Sequence, residues 1–291
     1  MPITPDTQFY LCSLSKQFTS MAVAILEDRG QLKFDEPITN ILSDLPHFMD
    51  PITVDNLQRH TSGIADYLDE PVPPDTNERV LEYAKHSRKL LFPPGTDFRY
   101  SNRGYNILAT AVAQRSGQPF PVFMNREIFA PLGMTNTLVC TNLELLSANR
   151  AVGYQSNKGQ YAVSDYALRT FGDGGIFSTL NDMKAWCVAI ETHRLLASGK
   201  QAQLFKPIKL KDGREMTYGR GWYIQDSPLG KYISHSGGLY GFKSQIAWCP
   251  DLKIWVIIFS NRDDYDLGGL ALKVMEIQHA STPTELNHSQ T

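Results

Sequence analysis

Ser13-Leu14-Ser15-Lys16 opens a run in which Phe18, Met21, Ala22, Ile25 and Leu26 recur at the i, i+3, i+4, i+7, i+8 spacing of an amphipathic helix. Residues three apart share a helix face, so Ser13 and Lys16 can point into one site. A serine hydroxyl is a weak nucleophile until a neighbouring base takes its proton. A lysine becomes that base when burial or a nearby cation lowers its pKa. The helix N-terminus adds N–H groups and a partial positive charge, suited to holding an oxyanion. The bland alternative is an N-cap serine followed by a surface lysine.

Two further motifs add chemistry. Tyr100-Ser101-Asn102 follows a Pro93-Pro94-Gly95 turn and precedes a helix. A tyrosine hydroxyl beside a cationic lysine ionises more easily and can share proton transfer, and an asparagine amide can hold a substrate carbonyl or amide. Its alternative is Asn102 as a simple helix cap. His235-Ser236-Gly237-Gly238 ends a strand-like run, and glycines there allow close backbone approach to a ligand. Its alternative is a tight hairpin with an exposed histidine.

In this order the motifs resemble the serine β-lactamase and penicillin-binding protein superfamily, nearest to class C β-lactamases and the related D-alanyl-D-alanine carboxypeptidases and esterases. The likeness extends to Phe9–Thr19, His60-Thr61-Ser62-Gly63-Ile64, Pro94-Gly95-Thr96, Pro131-Leu132-Gly133-Met134, Gly174–Thr179 and Tyr218–Trp222. It implies Ser13 as the acylated nucleophile, Lys16 and Tyr100 as proton shuttles, and Asn102 as holder of the acyl-side amide. Ser236 and Gly237 would line the substrate, and the N–H groups of Ser13 and Gly238 would form the oxyanion hole. His235 stands where many relatives have lysine and would supply positive charge or a hydrogen bond near the tyrosine and a substrate carboxylate. The reaction implied is hydrolysis of an amide, ester or β-lactam through an acyl-serine, without metal or organic cofactor. His-Ser-Gly in place of Lys-Thr-Gly resembles the peptidase branch, which ranks peptidase or esterase activity above efficient β-lactam hydrolysis. The competing class is a binding or scaffold protein that keeps the fold and has lost turnover.

The elements that must position these residues follow from periodicity and breakers. Helices are expected over 13–29, 77–91, Tyr105–Ser116, Phe120–Ile128, from a cap at Asn181 to Glu191, and over Leu267–His279. Strands are expected at 221–224, 231–234, 242–249 and 253–260, with 134–178 irregular. Helices first and an antiparallel sheet late make an α+β arrangement. The resemblance sharpens it to a β-lactamase/transpeptidase-like fold: a sheet flanked by helices plus an all-helical region. Residues 1–45 and 165–291 would form the α/β part, residues 46–164 the mainly helical part, together one compact unit. The polar tail after Ser281 is expected to fray.

Composition narrows the classes. Of 291 residues, 28 are Lys or Arg and 30 Asp or Glu, a formal charge of −2, which lacks the basic footprint of a nucleic-acid binder. The 4 Cys are widely spaced, so a disulfide scaffold is not expected. The 7 His form no H-E-x-x-H pattern, and no metal site is expected. No apolar run reaches the ~18 residues of a membrane span. Met1–Gln8 lacks a signal peptide's basic start, which points to the cytoplasm as the chain stands, or to a periplasmic or secreted protein if the native N-terminus is missing. Relatives carry a helix and two strands ahead of the nucleophile helix, whereas twelve residues precede Ser13. Lys253–Ser260 is therefore expected as an exposed apolar edge strand, which a second copy could cover in a homodimer. The partner otherwise implied is a small-molecule or peptide substrate.

Overall fold

The computed structural model describes residues 2–72, 74–164 and 170–281. Pro73, the boundary expected at residue 165 and the tail after Ser281 lie outside the described residues.

The centre is helix α1, Ser15–Asp28, entered through a single 3-10 turn, Cys12–Leu14. Every residue from Ser15 to Leu26 is buried, because α1 is wrapped on all sides rather than laid on a surface. Phe18, Met21, Ile25 and Leu26 are buried to the full, each burial contributing about 1.5–3 kcal/mol. Of the helices that follow, α4 (Asn102–Ser116) and α5 (Phe120–Met124) pack on α1, while α2 (Val54–Gln58) and α3 (Asn77–His86) pack on α4. α4 packs on α1 and stops at Gly117, whose φ of 68° a side chain would resist. The helix expected over 77–91 ends at His86. The one expected over Phe120–Ile128 leaves α geometry after Met124, continuing as a π turn and then a 3-10 turn. Helix α6, Leu180–Glu191, is capped by Thr179, whose hydroxyl accepts from Asp182, and not by Asn181. Helices α7 (Ser198–Gln201) and α8 (Leu267–Ser281) complete the set.

The segment expected to be irregular carries order of its own. β1 (Phe9–Tyr10), β5 (Ile176–Ser178) and β2 (Leu138–Val139) form a small antiparallel sheet in the order β1-β5-β2. β3 (Tyr154–Asn157) and β4 (Gln160–Val163) form a hairpin, as do β6 (Ile208–Lys209) and β7 (Glu215–Met216).

The main sheet is antiparallel in the order β11-β10-β9-β8, from β8 (Tyr223–Ser227), β9 (Gly230–Leu239), β10 (Phe242–Cys249) and β11 (Ile254–Ser260). β9 runs well past the strand expected at 231–234, so His235 to Gly238 lie inside it. Tyr240 and Gly241 join β9 to β10 with φ of 51° and 70°, a primed two-residue turn that matches strand twist. β9 crosses the entry to α1 closely: a Cβ on Gly237 would lie 2.5 Å from Ser244 Oγ and 2.6 Å from the Leu11 carbonyl oxygen. α8 buries Leu267, Ala271 and Met275 against the sheet and leaves Leu270, Val274 and Ile277 exposed. Among the described residues β11 has one sheet neighbour, β10. It starts at Ile254, because Lys253 sits in the preceding turn with a φ of 56°.

Candidate active site

The first piece of the site is the bend between β1 and α1. Cys12, immediately before Ser13, has a φ of 52°. That left-handed conformation costs a non-glycine residue about 1–2 kcal/mol. Two other non-glycine residues with positive φ, His60 and Tyr240, also frame the site, in keeping with backbone strain held at functional positions. The bend leaves Ser13 partly exposed while Lys16, one turn on, is 0 % exposed.

Lys16 Nζ donates to Ser13 Oγ at 3.2 Å, to Asn102 Oδ1 at 2.8 Å and to the Asp173 carbonyl oxygen at 2.8 Å. These three bonds use all the donors of an ammonium group. Of the three partners only Ser13 has a proton to give in return, since the other two are acceptors. When Lys16 loses its proton, its lone pair therefore has Ser13 Oγ–H to accept from. Burial lowers the Lys16 pKa to about 8 against the opposing pull of Asp173, Asp66 and Cys12. The ammonium also lies 4.8 Å from the centre of the Tyr100 ring.

The Tyr100 hydroxyl is buried and has no hydrogen-bond partner within normal distance among the described residues. Burial raises its pKa well above the ordinary tyrosine range; the nearby Ser13 hydroxyl opposes that and the charges of Asp173 and Asp66 reinforce it. Tyr100 thus stays protonated where Lys16 titrates, which separates proton donor from acceptor. Its ring lies tilted over that of His60, centroids 4.1 Å apart. His60 Nδ1 accepts from the Ser101 N–H at 3.1 Å. Burial, then the charge of Lys16, pushes the His60 pKa well down.

Asn102 does not cap α4 with its side chain; the helix begins from Ser101 without a side-chain cap. The Asn102 N–H is satisfied instead by Asp66 Oδ2 at 3.0 Å, which frees the amide to face Lys16. Asp173 is buried among Tyr67 Oη at 2.7 Å and Asn106 Nδ2 at 2.6 Å. The reason is geometric: the Gly172–Gly175 turn packs under α4, where a Cβ on Gly172 would lie 2.4 Å from the Tyr105 carbonyl oxygen.

His235 is 2 % exposed. Nδ1 lies 2.7 Å from the Ser236 carbonyl and Nε2 lies 3.0 Å from Tyr218 Oη. This assigns the proton to Nδ1, with Nε2 accepting from the tyrosine. Burial, and then the charge of Lys16, drop its pKa to about 3. Burial thus weighs against the first of the two roles expected of His235, positive charge or a hydrogen bond; both ring nitrogens are engaged, and its ring lies 6.3 Å from that of Tyr100. Ser236 is exposed and points away from the His235 side. Gly238 and Ser13 line one narrow cleft of about 60 Å³ with Tyr10, Tyr67, Leu68, Asn102, Asp173 and Leu239. A wider depression of about 530 Å³, lined by Ser236, Lys243, Gln245 and Asp263–Gly268, shares Gly238 with it. The structure therefore gathers Ser13, Lys16, Tyr100, Asn102 and Gly238, and adds Asp66 and Tyr67, which sequence reasoning did not name, with Asp173 and with His60 of the His60–Ile64 segment. Among the described residues no cluster of three or more His, Cys, Asp or Glu could hold a metal ion.

The fold is of the β-lactamase/transpeptidase-like α+β kind, with Ser13 and the buried Lys16 meeting in its cleft. A family model described as Beta-lactamase matches residues 1–276, and the chain belongs to that family. It is 28% identical over 286 residues to Penicillin-binding protein 4* of Bacillus subtilis, covering 90% of this chain and 62% of that protein. It is 27% identical over 297 residues to a D-aminopeptidase of Brucella anthropi, covering 98% of this chain and 55% of that protein. The chain thus spans somewhat over half the length of these relatives. In fold it is similar to the octameric penicillin-binding protein homologue from Pyrococcus abyssi, with a TM-score of 0.87, 24% identity, and coverage of 98% of this chain and 69% of that one. No helix among the described residues is long and apolar enough to cross a membrane.

Proposed function

We propose that the protein is an acyl-transferring serine hydrolase acting on amide or ester carbonyls. The observation that carries this is Lys16 Nζ, fully buried and bound to Ser13 Oγ, Asn102 Oδ1 and the Asp173 carbonyl. Ser13 Oγ attacks the carbonyl carbon as its proton passes to neutral Lys16. The N–H groups of Ser13 and Gly238 face the developing oxyanion, and Asn102 holds the acyl-side amide. As the bond to the leaving amine or alcohol breaks, Tyr100 donates its proton to that group and is reprotonated from Lys16. Water then hydrolyses the acyl-serine by the reverse route, restoring Ser13.

The neutral, enclosed His235 favours substrates whose leaving group carries no carboxylate, hence amides and esters over β-lactams. A relative named as a D-aminopeptidase agrees with that direction. The test is labelling with a fluorophosphonate and with a fluorescent penicillin. The proposal requires a serine adduct that Ser13→Ala removes, and ester or D-amino-acid amide turnover exceeding nitrocefin turnover. A folded, monodisperse sample with neither label nor ester hydrolysis would favour a binding or scaffold role instead. The single-neighbour strand β11 supports self-association through Lys253–Ser260. Light scattering tests this: a dimer is expected, and a monomer at all concentrations excludes it.

A further inference from the structure

The loop Ile64–Glu70 is stitched to the segment Arg99–Arg103 residue against residue. Asp66 Oδ2 accepts from the Asn102 N–H at 3.0 Å and from Asn102 Nδ2 at 2.9 Å. Asp69 pairs with Arg99 at 2.7 Å, and Glu70 with the buried Arg103 at 2.6 Å. Tyr67 ties this loop to the other side of the lysine: its N–H donates to Asp66 Oδ1 at 2.7 Å and its hydroxyl to Asp173 Oδ2 at 2.7 Å. Two buried carboxylates thus stand behind the two groups that hold Lys16, the Asn102 amide and the Asp173 carbonyl.

An amide can present either its oxygen or its NH2 to a neighbour. An ionised carboxylate only accepts, so Asp66 draws Asn102 Nδ2 to itself and turns Oδ1 toward the ammonium. With Asp66 neutralised, the amide can rotate and set NH2 against Lys16, donor against donor. We infer that Asp66 is a positioning residue for the Ser13–Lys16 pair: it fixes which end of Asn102 faces Lys16 and supplies negative charge that balances the buried ammonium. This rests on the serine-hydrolase reading above.

The charge has a direction. Lys16 is faced by Asp66 from the loop, Asp173 from the turn before β5, Cys12 from the bend before α1, the ring of Tyr100 from the segment before α4 and that of Tyr105 from α4. His60 and His235 also feel its charge, and burial holds both imidazoles well below their ordinary range. The carboxylates favour the protonated amine, so removing one makes Lys16 a free base at lower pH.

The experiment measures the rate of fluorophosphonate labelling of Ser13 from pH 5.5 to 10 in the wild type, Asp66→Asn, Asp66→Glu and, on the same loop, Asp69→Asn. In Asp66→Asn the rising limb is expected to move to lower pH by about one unit or more, with a plateau at least about tenfold lower from the misoriented amide. Asp69→Asn is expected to change neither. A purely structural role for Asp66 lowers the plateau and leaves the limb in place, which overturns the inference. If Asp66→Asn does not fold, Asp66→Glu decides. It keeps the charge but displaces it from Asn102, so the limb stays and the plateau drops; an unchanged plateau overturns the inference. Wild-type protein that never labels at Ser13 overturns the serine-hydrolase reading itself, a different outcome from labelling with an unmoved limb.

Discussion

Raising the pH from 6 to 9 should switch the site on, and by a calculable amount. Lys16 is the base, its pKa is lowered to about 8, and only the neutral amine can take the Ser13 proton. The neutral fraction is then about 1% at pH 6, about 9% at pH 7 and about 90% at pH 9. Acylation should rise roughly tenfold per pH unit below the midpoint and level off above it. His60 and His235 stay neutral over this range and contribute no limb near ~6.5. Lys16→Arg should lower the rate by about 10²–10⁴-fold at every pH, because a guanidinium stays protonated. The same shift has a stability sign. The folded pKa lies below the ordinary 10.5, so between about 8 and 10.5 the unfolded chain binds a proton that the folded chain does not. The Lys16 contribution to stability therefore rises with pH across that window, by at most about 3 kcal/mol. The assay is the pH dependence of the burst or labelling rate with a p-nitrophenyl ester or fluorophosphonate. A flat profile from pH 6 to 9 would refute the role of Lys16, and a limb near ~6.5 would point to a histidine base.

Tyr100→Phe should cut acylation by about 10²–10⁴-fold while leaving the melting temperature equal or slightly higher, since the lost hydroxyl is buried without a partner; calorimetry beside kinetics checks both. Gly237→Ala should destabilise by about 2 kcal/mol or more in urea titrations, because its Cβ would meet Ser244 Oγ at 2.5 Å. Gly238→Ala should be tolerated, as the nearest atom there is Lys243 Cγ at 3.8 Å. Cys12→Gly should be more stable than Cys12→Ala by about 1 kcal/mol, because both lose the thiol but only glycine accepts a φ of 52° without strain; paired denaturation curves measure the difference.

Periodicity was enough for the parts of the fold that are long or sharply ended. α1 shows the helical repeat of Phe18, Met21, Ile25 and Leu26, α4 ends at Gly117, and β10 and β11 read as apolar runs around the Pro250-Asp251 turn. The β1-β5-β2 sheet was not legible, because strands of two or three residues are too short for an alternation to show. Thr179 rather than Asn181 caps α6; both are good caps, and only packing chooses between them. In the site, Ser13 and Lys16 are legible because one helical turn joins them, and Tyr100, Asn102 and Gly238 because motif order supports them. Asp66 and Asp173 were not: they lie 36 and 71 residues from Asn102 along the chain, and only the fold makes one its cap and the other its neighbour. His235 was legible as a position but not as a chemical state. Its charge depends on burial by Tyr218 and Tyr223, whose rings lie 5.8 Å and 5.4 Å from it.

The central claim is that Ser13 becomes acylated with Lys16 as its base. Its most direct test is mass spectrometry of the intact protein and its peptides after incubation with a p-nitrophenyl ester and a D-amino-acid amide at pH 8.5. The account predicts an acyl adduct on the peptide carrying Ser13, formed in the wild type, absent in Ser13→Ala and formed far more slowly in Lys16→Arg. An adduct on any other residue, or one that persists in Ser13→Ala, would contradict it.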